Sequence, residues 1–167
     1  MTAPTVFESV LESLPKNAHH RRAWLELLRC FSSIERALMR HFAQEFNSSL
    51  PRYDVLTALA LTPGGLTMGE LASMLMVTKG NITGVVRRLK EDGLVRKVTS
   101  KTDRRIQSVT ISAKGRRLWD KMHSDYDDII SDILSGQSVE EVRSLKKVLE
   151  KTRIAVEKLS SKTLKSS

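Results

Sequence analysis

The chain has one cysteine, Cys30, so no disulfide can close within it and a reducing compartment is expected. No apolar run approaches the length of a membrane span, so no membrane partner is expected. The opening residues, MTAPTVFESVLESLPK, lack a basic stretch followed by an apolar one, so they do not read as a secretory signal, and a cytoplasmic protein is expected. Glycine-rich phosphate loops are missing: there is no P-loop, no G-x-G-x-x-G and no nucleophile elbow. Histidine is scarce, with His19, His20, His41 and His123 the only four. His123 and Asp127 have the i, i+4 spacing of a metal pair, but no third ligand accompanies them. These absences argue against an enzyme, a metal site or a cofactor. The 167 residues suffice for one domain, or one domain with helical extensions, around a real core.

Positive charge is abundant, and it is concentrated. Residues 1–78 hold 7 basic and 7 acidic side chains, and residues 118–167 hold 9 of each. Residues 79–117 hold 12 basic and 3 acidic side chains, which accounts for the whole formal charge of +9. Such a patch is the electrostatic footprint of a polyanion site, most often nucleic acid. A merely solvated charged face would not leave both flanks so evenly balanced.

Periodicity divides the chain. Residues 1–17 read as a loose or partly helical arm broken by Pro15. From 18 to 47, Trp24, Leu27, Phe31, Ile34, Leu38 and Phe42 recur at three- and four-residue spacing, a long amphipathic helix. Pro51 opens a second helix, PRYDVLTALALT, and TPGG ends it. Thr67 with Glu70 forms a capping box at the start of a third helix. Thr78 can cap a fourth, KGNITGVVRRLKED, which Gly93 closes. Two short helices joined by a tight turn make a helix-turn-helix pattern. The period then drops to two in LVRKVT and IQSVTIS, with SKTDRR between them, so a two-stranded hairpin with a basic tip follows directly as a wing. Helical spacing returns over 113–134. Ser138 with Glu141 caps a last helix to about 160, and 161–167 read as a flexible tail.

TKGNITGVVRRLKEDGLV followed by KTDRRIQSVTISAKG resembles the MarR family of bacterial winged-helix transcription regulators, over roughly residues 20–160. The most specific element is the D-x-R of the wing, Asp103 and Arg105, followed by a strand and a Lys114-Gly115 step into a helix. The resemblance implies a mainly α fold: a winged helix-turn-helix over 51–112 with a two-stranded β wing, and an interleaved helical dimerisation region from 18–50 and 113–160. It implies a homodimer on a pseudo-palindromic double-stranded DNA operator, acting as a ligand-responsive repressor. The apolar stripes of the long helices agree, because one winged-helix unit alone could hardly bury them.

Affinity is expected from Lys79, Arg87, Arg88, Lys90, Arg96, Lys97, Lys101, Arg104, Arg105, Arg116 and Arg117 on phosphates. Arg88 has an alternative, pairing with Glu91 or Asp92 at helical spacing. Specificity is expected from the helix that Thr78 caps. Asn81 can pair with adenine, Thr83 can hydrogen-bond or touch a thymine methyl, and Gly80 and Gly84 let the backbone approach the groove. Ile82, Val85, Val86 and Leu89 have inward spacing. Against this, Asn81 and Thr83 are also ordinary helix-start residues. Asp103 can hold a neighbouring guanidinium and fix the wing turn, and the resemblance sends Arg105 into the minor groove. Arg104 then reads as a phosphate clamp.

The resemblance also implies a small-molecule effector in a cleft, with Trp24, Arg36, Arg40, His41 and Tyr53 as candidate lining residues. Arg36 and Arg40, one turn apart, can share an anion or pair with Glu35 or Glu45. The likeness to regulators of aromatic-acid degradation suggests an aromatic acid or its CoA thioester. Two alternatives stand beside this reading. One is a sequence-independent architectural DNA-binding protein. The other is a redox sensor built on Cys30, although its place beside Phe31 suits a small buried hydrophobe.

Overall fold

In the computed structural model, residues 6–99 and 107–163 are described. The chain divides into two compact units between Ser124 and Asp125. The first begins with α1 (Val6–Ser13), α2 (His19–Phe46) and α3 (Leu50–Ala60). It continues through β1 (Leu66–Thr67), α4 (Met68–Met74), α5 (Lys79–Glu91), β2 (Val95–Thr99) and β3 (Gln107–Ile111), and takes in the first half of α6 (Ala113–Leu134). The second holds the rest of α6 and α7 (Val139–Thr163). The fold is mainly α with a winged helix-turn-helix, as the sequence predicts.

α1 is the helical part of the loose or partly helical arm expected of residues 1–17. Leu11 is buried, and Arg22 on α2 donates to the carbonyls of Leu11 and Leu14 at 3.1 and 3.2 Å, satisfying acceptors at the end of α1. α2 closes at Asn47, whose φ of 45° is left-handed. α3 starts with Pro51 in its first turn and buries Tyr53, Val55, Leu56, Ala58, Leu59 and Ala60. That burial on nearly every side makes α3 the central helix of the winged unit. Val55, Leu56, Leu71, Ile82, Leu89 and Val109 form the heart of the core around it. Each such aliphatic side chain contributes about 1.5–3 kcal/mol on burial.

The sheet has three strands rather than the two expected, in the order β1-β3-β2, all antiparallel. Leu66 pairs with Val109 and Thr67 with Ser108, while Val95 to Thr99 pair with Ile111 to Gln107. A two-residue strand carries no readable period, so sequence patterning missed it. Gly65 makes this edge possible: its φ is +83°, and a Cβ there would lie 2.3 Å from the Val109 carbonyl oxygen.

The step from wing to α6 is as tight. The Ser112 hydroxyl donates to the Gly93 carbonyl at 2.7 Å and accepts from the Gly115 amide at 2.9 Å. A Cβ on Gly115 would lie 2.1 Å from the Leu94 carbonyl oxygen. The S-x-K-G sequence is therefore a packing requirement of this junction. Beyond it, α6 joins α3 through polar contacts along one seam. Arg116 donates to the Ala60 carbonyl at 2.8 Å, Trp119 Nε1 donates to Thr57 Oγ1 at 2.9 Å, and Tyr53 Oη lies 2.8 Å from His123 Nδ1.

In the second unit, Ser138 and Glu141 complete the expected capping box: the Glu141 amide donates to Ser138 Oγ at 3.3 Å and the Ser138 amide to Glu141 Oε2 at 2.8 Å. The Ser138 amide and hydroxyl, both donating to Glu141 Oε2, hold the Glu141 carboxyl below its usual pKa. Along α7, Leu145, Val148, Leu149, Val156 and Leu159 remain exposed. No helix among the described residues is long and apolar enough to cross a membrane.

Candidate nucleic-acid interface

The helix-turn-helix is set by local chemistry at both helix starts. Thr67 Oγ1 accepts from the Glu70 amide at 3.2 Å, and Glu70 Oε2 accepts from the Thr67 amide at 2.7 Å. The Glu70 carboxyl is held below its usual pKa by those Thr67 donors. Leu71 and Ala72 are buried, which anchors α4 to the core. The connecting turn reverses at Met76, whose φ is 53° and whose side chain is 93% exposed. Thr78 then caps α5, its hydroxyl accepting from the Asn81 amide at 3.4 Å.

α5 buries Ile82, Val86 and Leu89 and keeps Val85 partly buried, as the spacing predicts. Its remaining positions therefore face outward. Lys79, Gly80, Asn81, Thr83, Arg87 and Arg88 are exposed and Gly84 is partly so. Gly80 and Gly84 differ from Gly65 and Gly115. Neither has a left-handed backbone, a Cβ on Gly84 would meet nothing within 4 Å, and one on Gly80 would meet only Thr78 Oγ1 at 3.9 Å. The fold itself does not demand glycine at either position. Glycine inside a helix costs roughly 0.5–1 kcal/mol relative to alanine. The two glycines leave the outward face of α5 flat, with polar and basic side chains on both flanks.

Thr83 is partly engaged: its hydroxyl donates to the Lys79 carbonyl at 2.7 Å, leaving its lone pairs and methyl outward. Asp92 is not Arg88's partner. It pairs with Arg52 of α3 at 2.5 Å, so Arg88 makes no ion pair among the described residues. Arg116 is also drawn inward. Besides its bond to Ala60, its guanidinium lies 5.1 Å from the Trp119 ring centroid, a cation–π contact that removes it from the phosphate-binding set. Lys114 donates to the Asp92 carbonyl at 2.9 Å, at the C-terminal end of α5. Arg96 and Lys97 are exposed on β2. The wing-tip candidates Lys101, Asp103, Arg104 and Arg105 lie outside the described residues.

The effector candidates are spread along the fold. Trp24, Arg36 and Arg40 are exposed on α2, His41 is half-buried, and Tyr53 is buried. His41 and Tyr53 both pack on Phe42, at ring-centroid distances of 6.2 and 5.1 Å. Trp24 lies 17 residues before His41, about 25 Å along a helix, so it does not share one small site with them in the same chain. Arg36 donates weakly to Ser33 at 3.4 Å, and neither it nor Arg40 pairs with Glu35 or Glu45 among the described residues. Cys30 is exposed, not the buried hydrophobe expected, because it shares the uncovered side of α2 with Phe31. His123 stacks on Trp119 at 4.8 Å beside its bond to Tyr53, and no cluster of three metal-ligating side chains occurs among the described residues.

A cavity of 370 Å³ opens behind the start of α5, between Pro51 and Asp54 of α3, Leu75 and Val77 of the turn, and Asn81, Ile82 and Val85. Burial, with the nearby Glu35 charge adding to it, pushes the Asp54 carboxyl up to about 6. No sequence pattern announces this site, because its walls come from three elements that only folding brings together.

A model of the MarR family matches residues 48–106. The chain is 28% identical over 136 residues to the transcriptional activatory protein BadR of Rhodopseudomonas palustris, covering 77% of each chain. Among solved structures, Sco3205 of Streptomyces coelicolor, a MarR family regulator in complex with DNA, superposes with a TM-score of 0.74 at 23% identity, over 87% of this chain and 91% of that one. CouR of Rhodococcus jostii, bound to p-coumaroyl-CoA, superposes with a TM-score of 0.71 at 21% identity, over 81% and 94%. BadR and Sco3205 are both named as transcriptional regulators.

Proposed function

We propose that this chain, whose residues 48–106 match a model of the MarR family, is a cytoplasmic homodimer that binds a pseudo-palindromic operator and represses transcription. The observation that carries the DNA-reading part is the outward face of α5. Two glycines that the fold does not require sit between Lys79 and Thr83 on one side and Asn81 and Arg88 on the other. Small residues let a helix backbone approach the major groove more closely, and the flanking polar groups then reach base edges and phosphates. Asn81 reads adenine, Thr83 and Thr78 touch bases or backbone, and Lys79, Arg87 and Arg88 bind phosphates. By the resemblance, the wing tip places Arg105 in the minor groove, with Asp103 fixing the turn and Lys101 and Arg104 on the backbone.

Residues 51–112 form the DNA-reading part in this account, and 18–50 with 113–160 form the dimerisation body. The exposed apolar residues of α2 and α7 support that division. The regulator answers to a small molecule, an aromatic acid or its CoA thioester, held by Arg36 and Arg40 with His41 and Tyr53 nearby, and Trp24, about 25 Å along α2 from His41, drops out of the candidate lining. The CoA-bound neighbour CouR supports this ligand class. Activation is a second reading, favoured by the name of BadR, and a promoter reporter carrying the operator decides between the two.

Selection from a random duplex pool at two salt concentrations tests the function. The expected result is an enriched inverted repeat with half-sites about 10 bp apart, and affinity that falls steeply with salt. Tight binding with no enriched sequence would instead identify an architectural DNA-binding protein.

A further inference from the structure

The cavity behind α5 holds an unexplained group. Asp54 is half-buried, and among the described residues no cation or hydrogen-bond donor is bonded to its carboxylate. The neighbouring walls are apolar: Leu75, Val77, Ile82 and Val85. A carboxylate in such surroundings without a partner is unfavourable, and the nearby charge of Glu35, which acts on it, is of the same sign. Both effects favour the arrival of a positive charge and disfavour a negative one. At 370 Å³ the cavity is within the size range of small-ligand pockets, with the mixture of apolar wall and few polar groups that such pockets have.

We propose that this cavity binds an organic cation, an amine or quaternary ammonium on an apolar body, with Asp54 as its counter-ion and Leu75, Val77, Ile82 and Val85 around its body. Arg36 and Arg40 are not among its lining residues, and it takes the opposite charge from the aromatic acid assigned to them. Its wall includes Asn81, placed above at the base edges. An occupant therefore restrains the turn and the first turn of α5 and competes with the operator. This coupling to DNA rests on the functional reading above, but binding of the cation itself does not.

The test uses 1-naphthylmethylamine and 1-naphthoic acid, a pair similar in size and opposite in charge. Calorimetry and thermal unfolding on the full chain report binding, and operator titration reports coupling. The amine is expected to bind and raise the melting temperature, and the acid to do neither. Asp54→Asn, which keeps the shape of the side chain, should weaken amine binding roughly tenfold or more. Val77→Trp, which fills the cavity from its rim and leaves Asp54 in place, should abolish it. No amine binding, equal binding of amine and acid, or full binding by Asp54→Asn would each overturn the site. Amine binding that leaves operator affinity unchanged would overturn the coupling and keep the site. A chain that binds no operator even without amine would overturn the functional reading, with the calorimetry still deciding the site.

Discussion

The winged helix and α7 use the same aliphatic residue types and end with opposite surfaces. In the winged helix, Leu56, Leu71, Ile82, Leu89 and Val109 are enclosed by elements of their own unit. In α7, Leu145, Val148, Leu149, Val156 and Leu159 stay exposed, and the first half of α2 does the same with Trp24, Leu27 and Phe31. The winged helix closes because a three-stranded sheet, two short helices and α3 surround one point. α7 has no such enclosure, and its positions 142, 145, 149, 156 and 159 follow the three- and four-residue spacing of a helix-to-helix seam. The difference teaches that the first region is complete within its chain, whereas the second leaves an apolar face uncovered, which the proposed dimer would bury.

The comparison breaks most severely at Gly115. Gly115→Val places a branched side chain where the Leu94 carbonyl oxygen would lie 2.1 Å from its Cβ. A loss of about 3 kcal/mol or more is expected in urea unfolding, since the clash is with backbone. A mild effect would show that the wing-to-α6 junction relaxes freely.

The α7 side comes next. Leu145→Glu with Leu149→Glu should leave the winged helix folded and dissociate the proposed dimer, at roughly 2 kcal/mol of association free energy per side chain. Sedimentation velocity reads the mass, and circular dichroism checks the fold. An unchanged dimer would remove α7 from the interface.

Asp54 gives the smallest and most condition-dependent effect. Its folded-state pKa of about 6 lies above the ordinary carboxyl value of 3.8, so the fold prefers the protonated form. The ionised carboxylate therefore costs stability fully above about pH 6, and this penalty fades as pH falls toward 3.8. Asp54→Asn should stabilise the chain by about 1 kcal/mol at neutral pH, after allowance for partial solvent screening, and by nothing near pH 4. Denaturant midpoints at the two pH values check the sign.

What was legible in the sequence was local. Thr67 with Glu70, Ser138 with Glu141, Thr78 and Gly93 each announce a helix end through chemistry within four residues. The inward set Ile82, Val86 and Leu89 follows from helical period alone. What stayed hidden depends on residues far apart in the chain. Arg52 takes Asp92 across 40 positions, so the alternative of an Arg88–Asp92 pair is not realised. Arg116 reads as one more surface cation until α6 lies beside Ala60 and Trp119. β1 is too short to show a period, and the Asp54 cavity exists only once α3, the turn and α5 meet.

The most direct measurement pairs stability with operator binding for Gly80→Gln combined with Gly84→Gln. Both positions are helical and open, so the variant should unfold at higher denaturant, by roughly 0.5 kcal/mol per site. The same substitutions fill the flat face that approaches the groove, so the preference for the selected operator over a scrambled duplex should fall at least roughly tenfold. A variant that is more stable and reads the operator as well as the wild type would contradict the claim that this face of α5 enters the major groove.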